Sequence, residues 1–368
     1  MRDMAILQPK LLPRANDSRL MALCSPLLAI GLTLLSGAAL FALLGHHPLD
    51  ALYCFFVLPL LDTYGWTELG VKTAPLLLCA VGLLFCFKAK VWNIGAEGQF
   101  IAGALGGGYA ALQLMHLEGF WVLPLVVIVG AMCGLLWAGL AAWLLTRFAA
   151  NEILTTIMLN YIALHALLYA VHGPLMDPQG YQFPESELFS DAVLLPVLFD
   201  GYRLNVSILL GLLCVAVVWT LSVRTLFGYQ IAVLGQSRKA AGYAGFEQGR
   251  LVWAVLLFSG ACAGLAGVTE VTGPVGQLTP YIAPGYGYTA IIVVFLGRMH
   301  PLGIVLASML LALTYLGGEM AQMELGLPKS ITGLFQGLLL FFVLACDLLI
   351  RYRIVFKPAP SREQESPL

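Results

Sequence analysis

Charged side chains are scarce in this chain: Asp, Glu, Lys and Arg make up 11% of its 368 residues, whereas 60% of the residues are hydrophobic. One soluble core could not hide so much apolar surface from water, so the composition indicates a polytopic membrane protein. The formal net charge of -1 provides no basic excess, and we predict no nucleic-acid partner. The bilayer is the expected surrounding.

The common motifs of catalysis and nucleotide binding are missing. The chain has no Gly-Lys dipeptide, which excludes a P-loop, and it has neither an HExxH nor a GxSxG motif. Its eight cysteines stand singly among apolar residues without CxxC spacing, so they are interpreted as small hydrophobic residues. We therefore predict no enzyme activity, no cofactor and no metal site on this chain. Any ATP would have to be used by a separate subunit.

Ten apolar runs are long enough, or nearly so, to cross a bilayer. They are residues 21–44, 70–88, 97–115, 121–146, 152–172, 205–223, 250–272, 285–297, 301–319 and 331–350. Whether residues 285–297 cross fully is left open, as it is for residues 49–62, which we interpret as part of an interfacial or re-entrant helix within 45–69. The apolar run that begins at 21 is interpreted as a retained first span because it lacks a cleavage signature.

The distribution of basic residues gives the chain an orientation. With ten spans and a cytoplasmic N-terminus, every Lys and Arg except Lys72, Arg203 and Lys329 falls on the cytoplasmic side. We therefore predict a cytoplasmic segment at 1–20, a transmembrane domain at 21–350 and a cytoplasmic tail at 351–368, which we expect to be disordered. The acidic, proline-rich outer loop at 173–204 is either a solvated loop or a docking rim for an extracytoplasmic binding protein.

A basic insert at 224–250 separates two almost purely apolar spans. Ser237 is a plausible N-cap for a short helix there, and Gly245 can end that helix. A short helix that projects into the cytoplasm would offer a surface to a soluble partner.

Three polar or glycine-rich breaks interrupt the spans, at 88–108, 150–161 and 269–288. Because lipid cannot satisfy polar side chains, the helix after the first break should be central in the bundle. The polar and aromatic residues near these breaks form a candidate substrate pathway: Asn93, Glu97, Gln99, Phe100, Asn160, Tyr161, Glu270 and Gln277. Several also have a structural reading: Glu97 as a first-turn acid, Asn160 as a helix–helix hydrogen bond and the aromatics as interface residues.

The first and third breaks suggest a pair. If spans two to five and seven to ten are inverted repeats, the first break would lie on the inner side and the third on the outer side of a midplane site. Asn151 and Glu152, in the second break, are explained by helix capping. A path lined by aromatic rings and amides would suit a flat polar ring such as a nucleobase.

Four ordered segments resemble the permease subunits of bacterial ATP-binding-cassette (ABC) importers for nucleosides and simple sugars. They are VWNIGAEGQFIAGA (91–104), ANEILTTIMLNYIA (150–163), FGYQIAVLGQSRKAAGYAGF (227–246) and GYTAIIVVFLGRMHPLGI (287–304). The resemblance covers about residues 70 to 350. It implies an all-α permease of about ten helices with the cobalamin-importer (type II) fold, in the bacterial inner membrane.

The same resemblance implies partners and a coupling helix. The partners would be a cytoplasmic ABC ATPase that binds ATP and Mg, a second homologous permease and an extracytoplasmic substrate-binding protein. The ATPase-coupling helix would consist of Ser237, Arg238, Lys239, Ala240, Ala241, Gly242, Tyr243, Ala244 and Gly245. Gln230 and Ala232 depart from the pattern, since basic residues are expected there. A stand-alone ion-coupled carrier is the alternative; its signature is a set of ionisable residues deep in the spans, and here that set is sparse.

Overall fold

The computed structural model describes residues 7–13 and 19–358 of the chain, and these residues are mainly α-helical. The helices are α1 (Arg19–Leu43), α2 (Pro48–Phe56), α3 (Thr63–Lys88), α4 (Ala96–Leu114), α5 (Val122–Phe148), α6 (Glu152–Val171), α7 (Ser207–Arg224), α8 (Leu226–Gln236), α9 (Arg238–Tyr243), α10 (Gln248–Glu270), α11 (Tyr286–Leu296), α12 (Pro301–Leu325) and α13 (Ser330–Arg351). Two strands, β1 (Leu7–Pro13) and β2 (Tyr352–Pro358), pair antiparallel.

Within the described residues, eight helices are long and apolar enough to cross a bilayer, namely α1, α3, α5, α6, α7, α10, α12 and α13. This confirms the polytopic class. Each of the ten predicted runs overlaps a helix, but α11 has 11 residues and α4 is glycine-rich and less apolar than the eight. The count of ten spans therefore stays a prediction.

The chain divides into two units, and the larger, Tyr53–Thr332, contains the helices that the sequence singled out. Its centre is α3, whose span is 89% buried, compared with 22% for α7. Helix α4 packs mainly against α5 and α10, with buried glycines, as the small-residue pattern predicts. A Cβ on Gly103 would collide with the backbone of Gly264 in α10. Backbones approach this closely because glycine leaves no side chain between them.

Helix α3 begins seven residues earlier than the predicted run. Asp62 caps it by accepting a hydrogen bond from the Gly65 amide at 2.8 Å, and a nine-residue helix and a 3₁₀ turn precede it. Lys72, which the sequence assigns to the outer side, lies inside α3. Its Nζ lies 2.7 Å from Oε1 of Glu319 in α12, and this pairing offsets the burial of the charge.

The smaller unit comprises Met1–Leu52 and Gly333–Leu368, of which the structure describes the parts given above. Phe335 of α13 packs against Gly37 of α1, and Ser25 Oγ donates to Asp347 Oδ1 at 2.9 Å. The expectation of a disordered tail after Arg351 is wrong for residues 352–358, which form β2. That stretch, YRIVFKP, is rich in aromatic and β-branched residues that favour a strand. The remaining tail, 359–368, lies outside the described residues.

Candidate coupling surface and central polar site

The basic insert at 224–250 folds as two helices, α8 and α9, and the second is the short helix that the sequence predicts. Ser237 Oγ accepts a hydrogen bond from the Ala240 amide at 3.2 Å, and Gly245 ends the turn with a φ of 78°. Ala241 is buried, whereas Tyr243 is 94% exposed. Helix α9 therefore presents most of its surface to solvent and is anchored through one small side chain.

The insert is attached to three membrane helices: α3, α10 and, through the Arg238–Glu152 ion pair, α6. Gly235 in α8 lies so close to the Lys88 carbonyl oxygen at the end of α3 that a Cβ would not fit. The ring of Phe227 also lies 5.5 Å from that of Phe85. On the other side, Gln248 Nε2 in α10 donates to the Arg238 carbonyl oxygen at 2.7 Å. A displacement of α9 would therefore act on the inner ends of α3 and α10.

Residues 89–95, between α3 and α4, form a segment without regular helix that is held by its own polar side chains; we call it the unwound segment. Asn93 is fully buried, its Oδ1 accepts from the Gly95 amide at 2.9 Å, and its Nδ2 donates to Ser259 Oγ in α10 at 3.0 Å. Gln99 is paired with Asn93 at 3.2 Å. These bonds satisfy the backbone where the helix is interrupted.

Asn160 of α6 joins the unwound segment to α4 and α11. Its Oδ1 accepts from the Gly98 amide at 2.8 Å, and its Nδ2 donates to the Ile94 carbonyl oxygen at 2.8 Å and to the Tyr288 hydroxyl at 3.0 Å. The helix–helix reading of Asn160 is therefore confirmed. Asn151, which caps α6 by accepting from the Leu154 amide at 3.1 Å, has the capping role that the sequence indicates.

Glu97 connects the beginnings of two helices. It lies in the first turn of α4, and its carboxylate oxygens accept from the Gly285 amide at 2.9 Å and the Gly287 amide at 2.6 Å, at the N-terminus of α11. A carboxylate is favoured there because the orphan amides and the helix dipole both stabilise negative charge. The acid predicted for the start of α4 thus serves the start of α11 as well.

This contact also brings the first and third breaks together. Chain 269–288 is irregular, as predicted: α10 ends at Glu270, a π-helical turn covers Val271–Val275, and α11 begins at Tyr286. A Cβ on Gly287, at the end of the third break, would strike the backbone of Ala96 and Glu97 in the first break. The placement of the two breaks on opposite sides of a midplane site stays a prediction. The two helix N-termini meet directly, and the glycine at 287 permits that approach.

The exposed part of this centre is aromatic and polar. Tyr161 is 53% exposed and Tyr288 is 41% exposed, next to the amide of Asn160. By contrast, Phe100 is fully buried and packs on Tyr286 with ring centroids 5.9 Å apart. In this conformation Asn93, Glu97, Gln99 and Phe100 are buried structural residues, and Tyr161 is exposed. Their assignment to a substrate pathway stays a prediction.

Glu270 and Gln277 lie apart from the unwound segment and from the residues that hold it. Gln277 Nε2 donates to Glu185 Oε2 in the outer loop at 2.8 Å. Glu270 is half-buried and lies within electrostatic range of Lys72 and Arg203.

Sequence reasoning missed this outer charged cluster, which also contains Glu68, 3.5 Å from Arg203, and Glu319. The spacing of Glu68 and Lys72, four residues apart on one helix, was the available signal.

Comparisons with known proteins agree with this architecture. Residues 65–344 match the sequence model of the family described as branched-chain amino acid transport system / permease component. The chain is 32% identical to a glucose ABC transporter permease protein of Haloferax volcanii, over 93% of this chain and 92% of the relative. It is 30% identical to a guanosine ABC transporter permease protein of Bacillus subtilis, over 91% of this chain and 96% of the relative.

Among solved structures, the chain is similar to a protein described as a metal-chelate type ABC transporter in an inward-facing conformation. The TM-score is 0.46, the sequence identity is 16%, and the match covers 86% of this chain and 97% of the other.

Proposed function

Because this chain belongs to the family of transport-system permease components, we propose that it moves a nucleoside or a simple sugar into the cytoplasm with energy from ATP. It is an ABC transporter permease subunit and a multi-pass protein of the bacterial plasma membrane. The proposal adds the substrate class, the direction and the partners. These are an ATPase that binds MgATP, a second homologous permease and an extracytoplasmic binding protein.

The observation that carries the energy source is α9. It is an exposed, basic, capped helix on an insert that is tied to the inner ends of α3 and α10. Such a helix gives a soluble motor a small rigid surface to move. Its basic residues Arg238 and Lys239 favour the cytoplasmic side. Energy supplied on another chain is also consistent with a sequence that has no P-loop motif.

The substrate class is supported by two different observations. Relatives that this chain matches over more than 90% of its length carry the names glucose and guanosine in their descriptions. The exposed rings of Tyr161 and Tyr288 beside the Asn160 amide provide flat apolar faces and a polar edge, which suit a ribose or hexose ring and a nucleobase.

The test is reconstitution of the complex that copurifies with this chain from its native membrane. Proteoliposomes supplied with MgATP and the binding protein should accumulate radiolabelled guanosine or glucose, and omission of ATP should abolish the uptake. The variant Ala240→Glu, which places a charge on the exposed surface of α9, should lower uptake more than ATP hydrolysis. The matched variant Gly249→Ala, where a Cβ meets nothing within 4 Å, should change neither.

Two outcomes would count against the proposal. If the purified chain alone takes up solute in response to a proton gradient without ATP, it is an ion-coupled carrier. If Ala240→Glu leaves uptake unchanged, α9 is not the contact through which the ATPase acts.

A further inference from the structure

Helix α6 carries a polar stripe that is bonded to the unwound segment. Glu152, Thr156 and Asn160 are spaced by four residues and so share one face of the helix. Glu152 Oε2 accepts from the Trp92 amide at 2.7 Å, and Thr156 Oγ1 accepts from the Ile94 amide at 3.2 Å. Asn160 completes the series through the Ile94 carbonyl oxygen and the Gly98 amide, both at 2.8 Å. The interrupted backbone is thus fastened to α6 along three successive turns.

The first residue of the stripe has a second partner. Glu152 Oε1 accepts from the guanidinium of Arg238 in α9 at 3.2 Å, while its other oxygen holds the Trp92 amide. One carboxylate therefore joins the cytoplasmic insert to the unwound segment. A first-turn acid that served only its own helix would need neither of these bonds, because the helix N-terminus alone stabilises it.

The surroundings of this carboxylate leave room for movement. A cavity of about 270 Å³ borders the pair, and its lining includes Ala149, Ala150, Glu152, Arg238 and Gln248. The Arg238 side chain is 60% exposed, whereas that of Glu152 is 24% exposed. Arg238 can therefore move with α9 while the Glu152 side chain keeps its position on α6. The ion pair thus links a movable helix to a fixed one.

Beyond Trp92, the unwound segment leads directly to the central polar site. Ile94 and Gly98 are held by Asn160, which also donates to Tyr288, and Glu97 caps the N-terminus of α11. A shift of the Trp92 amide would therefore be transmitted to the beginnings of α4 and α11, where Tyr288 lies.

We propose that Glu152 is the positioning residue through which movement of α9 is transmitted to the unwound segment and hence to the meeting point of α4 and α11. This inference rests on the proposed function, because it assumes that a motor moves α9. It adds a specific route: Arg238 to the Glu152 carboxylate, and from that carboxylate to a backbone amide. The route needs an acceptor at position 152 as well as a negative charge, and this double requirement makes it testable.

The experiment uses the whole reconstituted complex and measures ATP hydrolysis and uptake of radiolabelled guanosine and glucose in the same vesicles. The ratio of solute moved to ATP hydrolysed is the readout, since a purely structural defect lowers both rates together. Glu152→Ala removes both hydrogen bonds and should lower the ratio roughly tenfold, as expected for losing bonds to a charged group. Glu152→Gln keeps an acceptor for Trp92 and should lower it by a smaller factor.

The charge-swapped pair Glu152→Arg with Arg238→Glu is the decisive variant. It restores an ion pair but places a side chain without acceptors opposite the Trp92 amide, so we expect the ratio to stay low. Glu247→Gln is the matched control, because Glu247 is an exposed acid of the same insert that pairs with Arg250 at 2.8 Å. It should leave the ratio at the wild-type value.

Each outcome bears on the proposal. Recovery by the charge swap would reduce Glu152 to an ordinary ion-pair partner, and an unchanged ratio in Glu152→Ala would remove its role altogether. Should Glu152→Ala fail to fold, as judged by its thermal midpoint, Glu152→Gln decides in its place: an unchanged ratio overturns the proposal. If wild-type vesicles show no ATP-dependent uptake, the proposed function fails instead, and the two failures are therefore distinguishable.

Discussion

Glu97 illustrates how a single ionisable residue can belong to the architecture of a membrane protein. It lies deep in a bundle, and an ionisable residue at such a depth is by default a candidate for function. Its two oxygens nevertheless accept the amides of Gly285 and Gly287, which would otherwise be orphan donors at the start of α11. The carboxylate therefore satisfies backbone amides at a helix start that lies away from water.

Removal of this acceptor should destabilise the protein. Glu97→Ala leaves two buried amides without partners, and we expect a loss of about 2–4 kcal/mol in stability. Glu97→Gln keeps one acceptor oxygen and should lose about half as much. The thermal midpoint of the purified complex in detergent measures the difference. Glu118→Gln, which alters an exposed acid after α4, is the control and should leave the midpoint unchanged; equal midpoints for all three variants would contradict the capping role.

At the scale of elements, the seam between α4, α5 and α10 is formed by glycine. A Cβ on Gly264 would meet the Gly130 carbonyl oxygen at 2.7 Å and Gly134 Cα at 2.8 Å, and both neighbours are backbone atoms that cannot give way. In lipid, such close packing replaces the hydrophobic effect as the force that holds helices together.

The variant Gly264→Ala should therefore force the helices apart. We expect a loss of about 1–3 kcal/mol in stability, as for overpacked cores. This loss should appear as a lower yield of folded protein and a lower thermal midpoint. Gly139→Ala is the matched control in α5, since a Cβ there first meets the flexible end of Leu257 at 3.5 Å. Size-exclusion chromatography and a thermal melt of both variants check this, and a stable Gly264→Ala protein would show that the seam can open.

The cap of α9 is a second element-scale feature that can be tested. Ser237→Ala removes the hydrogen bond from the Ala240 amide and should cost about 1 kcal/mol of helix stability. Because α9 has six residues, fraying would disorder the surface that we propose meets the ATPase. We expect lower substrate-stimulated ATP hydrolysis in Ser237→Ala, and near wild-type hydrolysis in Ser237→Thr, which keeps the cap. Equal activities would mean that α9 is held in place by its partners alone.

The elements that the sequence predicted are those whose determinants are local. Ser237 and Gly245 frame α9 within nine residues of chain, and Asn151 caps α6 three residues before the amide that it accepts. The start of α3 was missed because a hydropathy run stops at polar residues such as Thr67 and Glu68, whereas the partner of Glu68, Arg203, is 135 residues away. The contact between Glu97 and Gly287, 190 residues apart, was invisible for the same reason. Contacts at such separations are set by tertiary packing, which a local pattern does not encode.

At the scale of the whole molecule, two helices differ in what their exposed faces would meet in a bilayer. The exposed residues of α7 include Leu209, Leu213 and Val217, which lipid accepts. The exposed face of α6 carries Tyr161, His165 and Tyr169, and polar or ionisable groups at that depth are costly against lipid. The face of α6 is therefore expected to lie against a second permease or along a water-filled path.

This difference gives a prediction for the assembled transporter. A photo-crosslinking amino acid in place of Tyr169, which is 75% exposed, should form a covalent adduct with a second permease chain when the complex is irradiated in native membranes. The same group in place of Leu213, which is 61% exposed on α7, should give no adduct with a permease chain, because lipid surrounds that position. Mass spectrometry of the adducts identifies the partner. An adduct at Leu213 but none at Tyr169 would place the permease interface on α7 and leave α6 facing the solute path. That result would alter the expected arrangement of the two permeases without changing the fold of this chain.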